Sequence, residues 1–483
     1  MPQQLSTIVP FVMAVVLATD VHAQQASAPP AARPISFIAR NTTRLEMWSF
    51  FAPGGAVDPD YAHVGNRLFL GVEGHRPHLD FTAGLQYVQF GWLPANAIGP
   101  GPLGAGAAYF QHAGRSDSRQ LYLRTMNVRF KDVLPGLDVQ LGRMGYASGA
   151  EATSGVATIE AVKRQRLDSR LVGEFEWSLY QRTFDGVRVD WARGPARITA
   201  SAFHPTQGGF EDAAGVSIDD LTLVSGVATF RPGTLIPGAE WQVFSHYYGD
   251  TRVVTARPDN TGRGTGRADV QVTTVGTSVV GAYGTRAGQI DVLGWFAGQG
   301  GSWYEESHRA WSLGLEGGHQ WTQAPWQPWI RAGVLYASGD DNPADARHGT
   351  FFQMLPTVRR YSMTTAYSQM NLNDRFVQAL LKPHARLTVR ADVHRLSLAE
   401  AADGWYFGSG TTQEEGAIFG FALRPSGGHT GLGTSVEASV DYSVNTHLSV
   451  NGFIAHMRGG DVVGRSFVGR DLRFGYIETL VRF

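Results

Sequence analysis

The feature that most constrains this chain is a two-residue period that recurs along its length. Between Arg67 and Glu73, the residues Leu68, Leu70 and Val72 alternate with Arg67, Phe69, Gly71 and Glu73. From His78 to Tyr87, Leu79, Phe81, Ala83, Leu85 and Tyr87 alternate with His78, Asp80, Thr82, Gly84 and Gln86. The same pattern sets Leu137, Val139 and Leu141 against Asp138, Gln140 and Gly142, and Val187, Val189 and Trp191 against Arg188 and Asp190. It returns near the C-terminus, where Leu387, Val389, Ala391 and Val393 oppose Arg386, Thr388, Arg390, Asp392 and His394. Successive side chains of a β-strand point to opposite faces, so these segments predict strands with one apolar and one polar face. A soluble sandwich would bury the apolar face. A membrane barrel would turn it to lipid and its polar face to a lumen.

Three signals favour the barrel. Short turns at Pro135-Gly136, Gly194-Pro195 and Asn445-Thr446 alternate with long polar or glycine-rich stretches over Gly91–Ser118, Tyr146–Thr183, Thr251–Arg267 and Ser338–Arg375. Short turns at one end and long loops at the other is the outer-membrane arrangement. Aromatic residues gather near predicted strand ends (Trp303, Tyr304, Trp311, Trp321, Trp326 and Trp329), as interfacial girdles require. The chain also stops on an alternating strand with Ile477, Val481 and Phe483 on one face, and a terminal phenylalanine resembles the signal read by the barrel-assembly machinery. Outside the first residues the longest apolar runs fall short of the ~20 residues a membrane helix needs. A membrane location therefore demands a closed barrel, in which every backbone group is paired. At roughly 25 residues per strand and connection, the chain accommodates roughly 16 to 20 strands.

Residues 1–23 read as a signal peptide, with an apolar run from Ile8 to Ala18 and the small-residue pattern Val21-His22-Ala23. No lysine or arginine precedes the run. Residues 24–36 are a flexible Ala/Pro-rich leader, and residues 37–483 form the barrel unit. The absence of cysteine excludes a disulfide scaffold, a thiolate zinc site and a thiol nucleophile. A net charge of -1 argues against nucleic acid as a partner.

Several ordered segments give the chain its family resemblance: Arg44-Leu45-Glu46-Met47-Trp48, Leu141-Gly142-Arg143, Arg170-Leu171-Val172-Gly173, and Arg182-Thr183-Phe184-Asp185-Gly186-Val187-Arg188. Ala337-Ser338-Gly339-Asp340-Asp341, Gly349-Thr350-Phe351, Leu355-Pro356-Thr357, Asn371-Leu372 and Asp392-Val393-His394-Arg395-Leu396 continue the series. In this order they resemble the alginate-export family of outer-membrane barrels, over about residues 40 to 483. The resemblance implies a monomeric all-β transmembrane barrel of about eighteen strands whose lumen is narrowed by an inward-folded loop. It implies a basic path for an anionic polysaccharide or a small polar solute, and the outer-membrane lipids and assembly machinery as partners.

Such a path needs fixed positive charge, and arginine supplies it with a planar fork that matches a carboxylate. The candidate lumen residues are Arg67, Arg124, Arg143, Asp185, Arg188, Arg331, Arg386, Arg390 and His394. Carboxylates on comparable faces, such as Asp190, Asp392 and Glu478, make the lumen mixed in charge. No cofactor is expected. Asp340, Asp341 and Asp345 cluster oxygens that could hold calcium, but without EF-hand spacing. Gly262 to Arg267 lacks the strand–helix context and the Lys-Ser/Thr ending of a phosphate loop, and reads as a polar loop.

The alternative classes are a lipase- or protease-like barrel enzyme and a general uptake porin for small organic acids. The chain has no Gly-x-Ser-x-Gly elbow and no His-Glu-x-x-His helix, and His394 and Ser397 fall on opposite strand faces, so no catalytic residues are assigned. A plugged nutrient transporter would need an N-terminal domain that the short leader does not provide.

Overall fold

The computed structural model describes residues 35–97, 105–261, 266–357, 364 and 366–483. The signal segment, most of the leader and residues 262–265 of the glycine-rich stretch lie outside these. The first strand begins at Ile35, two residues before the expected barrel boundary.

Eighteen strands form the wall. They are β1 (Ile35–Ser49), β2 (Asp60–His75), β3 (Leu79–Gly91), β4 (Ser118–Leu134), β5 (Leu137–Met144), β6 (Phe184–Arg193), β7 (Ala196–Pro205), β8 (Leu221–Phe230) and β9 (Ala239–Asp250). The second half is β10 (Val270–Thr285), β11 (Gly288–Trp303), β12 (Glu306–Gln320), β13 (Trp329–Ala337), β14 (Leu372–His384), β15 (Leu387–Leu398), β16 (Gly431–Ser443), β17 (Leu448–Gly459) and β18 (Asp471–Arg482). Each pairs antiparallel with the next. β18 then pairs with β1, from Arg40 opposite Arg482 to Ser49 opposite Arg473, and closes the cylinder. Arg347–His348 adds a two-residue parallel piece against β12.

The alternation assigns the faces. Leu70, Leu85, Val275, Leu315, Val377, Val393, Ile454 and Ile477 are exposed on the outer wall, as a lipid-facing surface requires. The polar positions between them face inward. One end carries tight turns such as 135–136, 194–195, 286–287 and 385–386, together with Ile35 and Phe483. Gly136 sits at φ +74°, where a Cβ would lie 2.4 Å from the Ala192 carbonyl oxygen, so this turn admits only glycine. The other end carries the loops 92–117, 145–183, 251–269, 338–371 and 399–430. Helix α1 (Ala105–Ala113) and helix α2 (Ala157–Arg166) lie in the first two.

The girdle expectation holds for only part of the aromatic set. Trp311 is exposed on the outer wall and stacks on Tyr336 at 4.7 Å, and Trp326 is exposed at the short-turn end. Trp303 and Trp329 point inward. Trp303 is wholly buried and stacks on His348 at 4.3 Å, and Trp329 donates its indole N–H to Asp291 at 2.7 Å. Tyr304 is also buried, under the Arg257 guanidinium.

The loops fold into their own half of the cylinder and fill it with apolar side chains. On one side Ile159, Val162 and Leu171 pack with Phe351, Leu355 and the wall residues Phe244 and Trp295. On the other, Tyr109, Phe175 and Tyr180 pack with Phe90, Phe210 and neighbours of Trp405. The short-turn half keeps its polar inner face, and the open space lies there.

Candidate functional site

The inward-folded loop 145–183 crosses the lumen and is anchored on both walls. On one side its backbone is held by wall donors: Arg44 Nη1 donates to the Trp177 carbonyl at 2.8 Å, Gln86 Nε2 to that of Leu179 at 3.2 Å, and Arg124 Nη1 to that of Arg182 at 2.8 Å. The Arg44 guanidinium also lies 3.5 Å over the Trp177 ring. On the far side α2 brings charge to charge. Lys163 Nζ is 2.7 Å from Glu240, and Arg166 Nε donates to both Glu316 oxygens at 2.9 and 2.8 Å. Arg331 joins Glu316 at 3.3 Å and Asp291 at 2.9 Å. A second loop, 338–371, is tied to the first by backbone bonds. Leu355 N–H donates to Leu171 O at 2.9 Å, Gly173 N–H to Leu355 O at 2.8 Å, and Thr357 N–H to Ser169 O at 2.9 Å.

Beneath this crosspiece, on the short-turn side, lies a cavity of about 540 Å³. Arg40, Arg67, Arg124 and Arg482 line it against Glu174 and Glu176. A neighbouring space of about 370 Å³ shares Leu480 and Arg482 with it and adds Arg390, Asp441 and Glu478. Arg124 is bound to Glu174. Arg40, Arg67 and Arg482 make no ion pair among the described residues. Arg40 and Arg482 stand directly opposite one another across the β1–β18 seam, and Arg67 faces Thr42 on the next pair of strands. Like charges directly opposite on a sheet face are destabilising in isolation.

The sequence candidates divide into distinct roles. Arg67, Arg124 and Arg390 line the open space. Arg390 also pairs with Asp392 at 2.5 Å. Arg188 faces inward but is held by Asp190 at 2.9 Å, and Arg331 is fully buried under the crosspiece. His394 is on the inner face but fully buried, with Nδ1 3.0 Å from Asp374. Arg143 and Asp185 do not reach the cavity. They lie on the outward phase, beside the lipid-facing Met126, and clasp each other at 2.7 and 2.6 Å where β5 ends. Arg386 is not on an inner strand face either: it sits in an exposed turn and donates to the Val444 carbonyl at 2.9 Å. Asp340, Asp341 and Asp345 do not converge on one point. Asp340 accepts from the Asn342 N–H, Asp341 pairs with Arg347, and Asp345 accepts from the Arg347 N–H. Among the described residues, the acidic group close enough for a cation is instead Asp392, His394 and Glu437. Phe483 is exposed at the short-turn end, where its N–H donates to Ala39 O at 2.9 Å and its ring stacks on His447.

Arg40 precedes the first clear alternating run, and Glu174 and Glu176 lie in a loop, so none of the three carries a strand signal. No strand period marks a loop side chain that bends back into the lumen.

The sequence profile of the alginate-export family matches residues 112–470. No curated protein sequence matches the chain. Solved structures share the fold. A BenF-like porin from Pseudomonas fluorescens Pf-5 has TM-score 0.57 and 9% identity, covering 93% of this chain and 98% of that one. Pseudomonas aeruginosa OccK2 (OpdF) has TM-score 0.56 and 9% identity, covering 92% and 98%. Pseudomonas aeruginosa OpdK with vanillate has TM-score 0.53 and 8% identity, with the same coverages.

Proposed function

Since the chain belongs to the alginate-export family and folds as an outer-membrane channel, we propose that the solutes it passes are carboxylate-bearing anions. The observation that carries this reading is the arginine group Arg40, Arg67 and Arg482, which lines the cavity without an ion pair among the described residues. The family's description points to a polyuronate chain. The crosspiece favours a smaller solute, because the backbone pairing of residues 169–173 with 355–357 fills the middle of the lumen and would have to part for a polymer. Vanillate, present in the OpdK structure, is a small carboxylate of that kind. A single chain closes the wall, which supports a monomer.

The test is reconstitution in planar bilayers. Reversal potentials in a salt gradient should show anion preference, reduced in Arg40→Gln/Arg482→Gln, and monomeric uronate or a small aromatic acid should block the current from the short-turn side. Cation preference in the unaltered channel, with no block by uronate monomers or oligomers, would overturn the reading. Block by oligomers alone would favour the polymer.

A further inference from the structure

The lipid-facing wall carries a charged feature that the lumen does not use. On β14 to β18 the outward positions near the long-loop end are basic instead of apolar. Arg375 stands directly opposite Arg395, Arg395 opposite Thr434, Thr434 opposite Arg458, and Arg458 opposite Asp471. One step toward the membrane centre on the same face, His456 opposes Arg473. All four arginines are exposed, and none forms an ion pair among the described residues. The one carboxylate in the row, Asp471, is engaged by His456 Nε2 at 3.0 Å. Arg395 Nη1 donates only to Thr434 Oγ1, at 2.8 Å.

Four guanidinium groups against one carboxylate, on strands about 4.8 Å apart, repel one another and are costly on a lipid-facing surface. An anion from outside the chain would relieve that repulsion. Directly beneath the row, the same wall holds an apolar groove of about 710 Å³. Gly475 is its floor, with Ile454 and Met47 on either side in the register, and Arg473 and His456 at its charged rim. A groove open to acyl chains, capped by unpaired arginines at the long-loop side, has the polarity of an acidic lipid.

We propose that this face binds a phosphate-bearing acylated glycolipid of the outer leaflet, with an acyl chain over Gly475 and a phosphate on Arg395 and Arg458. Arginine forks bind phosphate in a bidentate way, which the aligned row allows. This inference rests on the membrane placement and is independent of what the lumen passes.

The channel, extracted and placed in phosphatidylcholine nanodiscs, is titrated with diphosphoryl lipid A and followed by native mass spectrometry. Arg375→Gln/Arg395→Gln/Arg458→Gln should weaken lipid A binding at least tenfold, as should removal of the lipid's phosphates. Gly475→Leu, which fills the groove and leaves the arginines in place, should also weaken it. Conductance should stay unchanged in both variants, because neither alters a lumen residue. Equal lipid A affinity in the triple variant, equal binding of dephosphorylated lipid, or displacement of lipid A by millimolar inorganic phosphate would each overturn the proposal. If the triple variant does not assemble, Gly475→Leu and the lipid series decide it alone.

Discussion

Replacing Glu316 with glutamine should free the inward loop. Glu316 lies on the wall and is the shared counter-ion of two loop arginines and one wall arginine: Arg166 at 2.8 Å, Arg170 at 3.6 Å and Arg331 at 3.3 Å. All four side chains are buried. Gln keeps the shape and removes the charge, so Arg166, Arg170 and Arg331 lose the Glu316 carboxylate in a buried site. Breaking a buried pair by removing one partner costs about 3–5 kcal/mol. Releasing the loop hydrates Arg166 and Arg170 but leaves Arg331 in the wall with Asp291, so the part that acts on docking is nearer ~3 kcal/mol. That corresponds to about a 100-fold shift of the docking equilibrium. The chain has no cysteine, so Val162→Cys places a sole thiol on the fully buried face of α2. Its modification by a charged methanethiosulfonate reagent in liposomes reports release. The Glu316→Gln background should accelerate modification about 100-fold and raise open-channel noise. Rates within threefold of each other would show that the buried charges do not hold the loop, and the reasoning would fail.

Two further outcomes are expected. Asp403, in the 399–430 loop, accepts from Thr350 Oγ1 at 2.6 Å and from the Asp340 N–H at 3.0 Å, and burial pushes its carboxyl up to about 6. A carboxyl raised in the folded state stabilises that state when protonated, and the contribution is lost as pH rises from about 4 through about 6. The contact between loops 338–371 and 399–430 should therefore be tighter at pH 4 than at pH 7.5, read as slower proteolysis of these loops, and Asp403→Asn should reduce the difference, the remainder coming from Asp340 and Glu414, whose carboxyls burial also raises. Deleting Phe483 removes the Ala39 backbone bond and the His447 stack and should lower the assembled, heat-modifiable fraction several-fold; unchanged assembly would count against its role as a signal.

The wall was legible because its period is local. Leu137, Val139 and Leu141 mark the lipid phase of β5, and continuing that count by two puts Arg143 on the same face, where the structure has it, and not in the lumen that its charge suggested. Arg124 resists such counting for a physical reason. β4 carries a bulge beside the Gly84–Thr125 pair, one extra residue enters the strand, and Arg124 and Thr125 both line the cavity. Trp329 shares the phase of Arg331 and so faces the lumen, although its position near a strand end suggested a girdle. The resemblance implied an inward-folded loop, but neither which loop nor its anchors. Its bonds join Leu171 to Leu355 and Arg166 to Glu316 across long stretches of chain, and nothing in a two-residue period encodes which loop folds inward.

The seam between β1 and β18 orders events in time. The Arg44–Glu478 bond there joins residues 434 positions apart, so the cylinder cannot be sealed until the last strand has been delivered. Contacts of such separation form late and slowly. Loop 145–183 and its anchors on β9 and β12 precede that strand in the chain, so the plug can be seated while the sheet is still an open ribbon. On that order the wall would close around a loop already seated, as a stave vessel is closed around its former, and the loop would not have to be threaded through a complete ring.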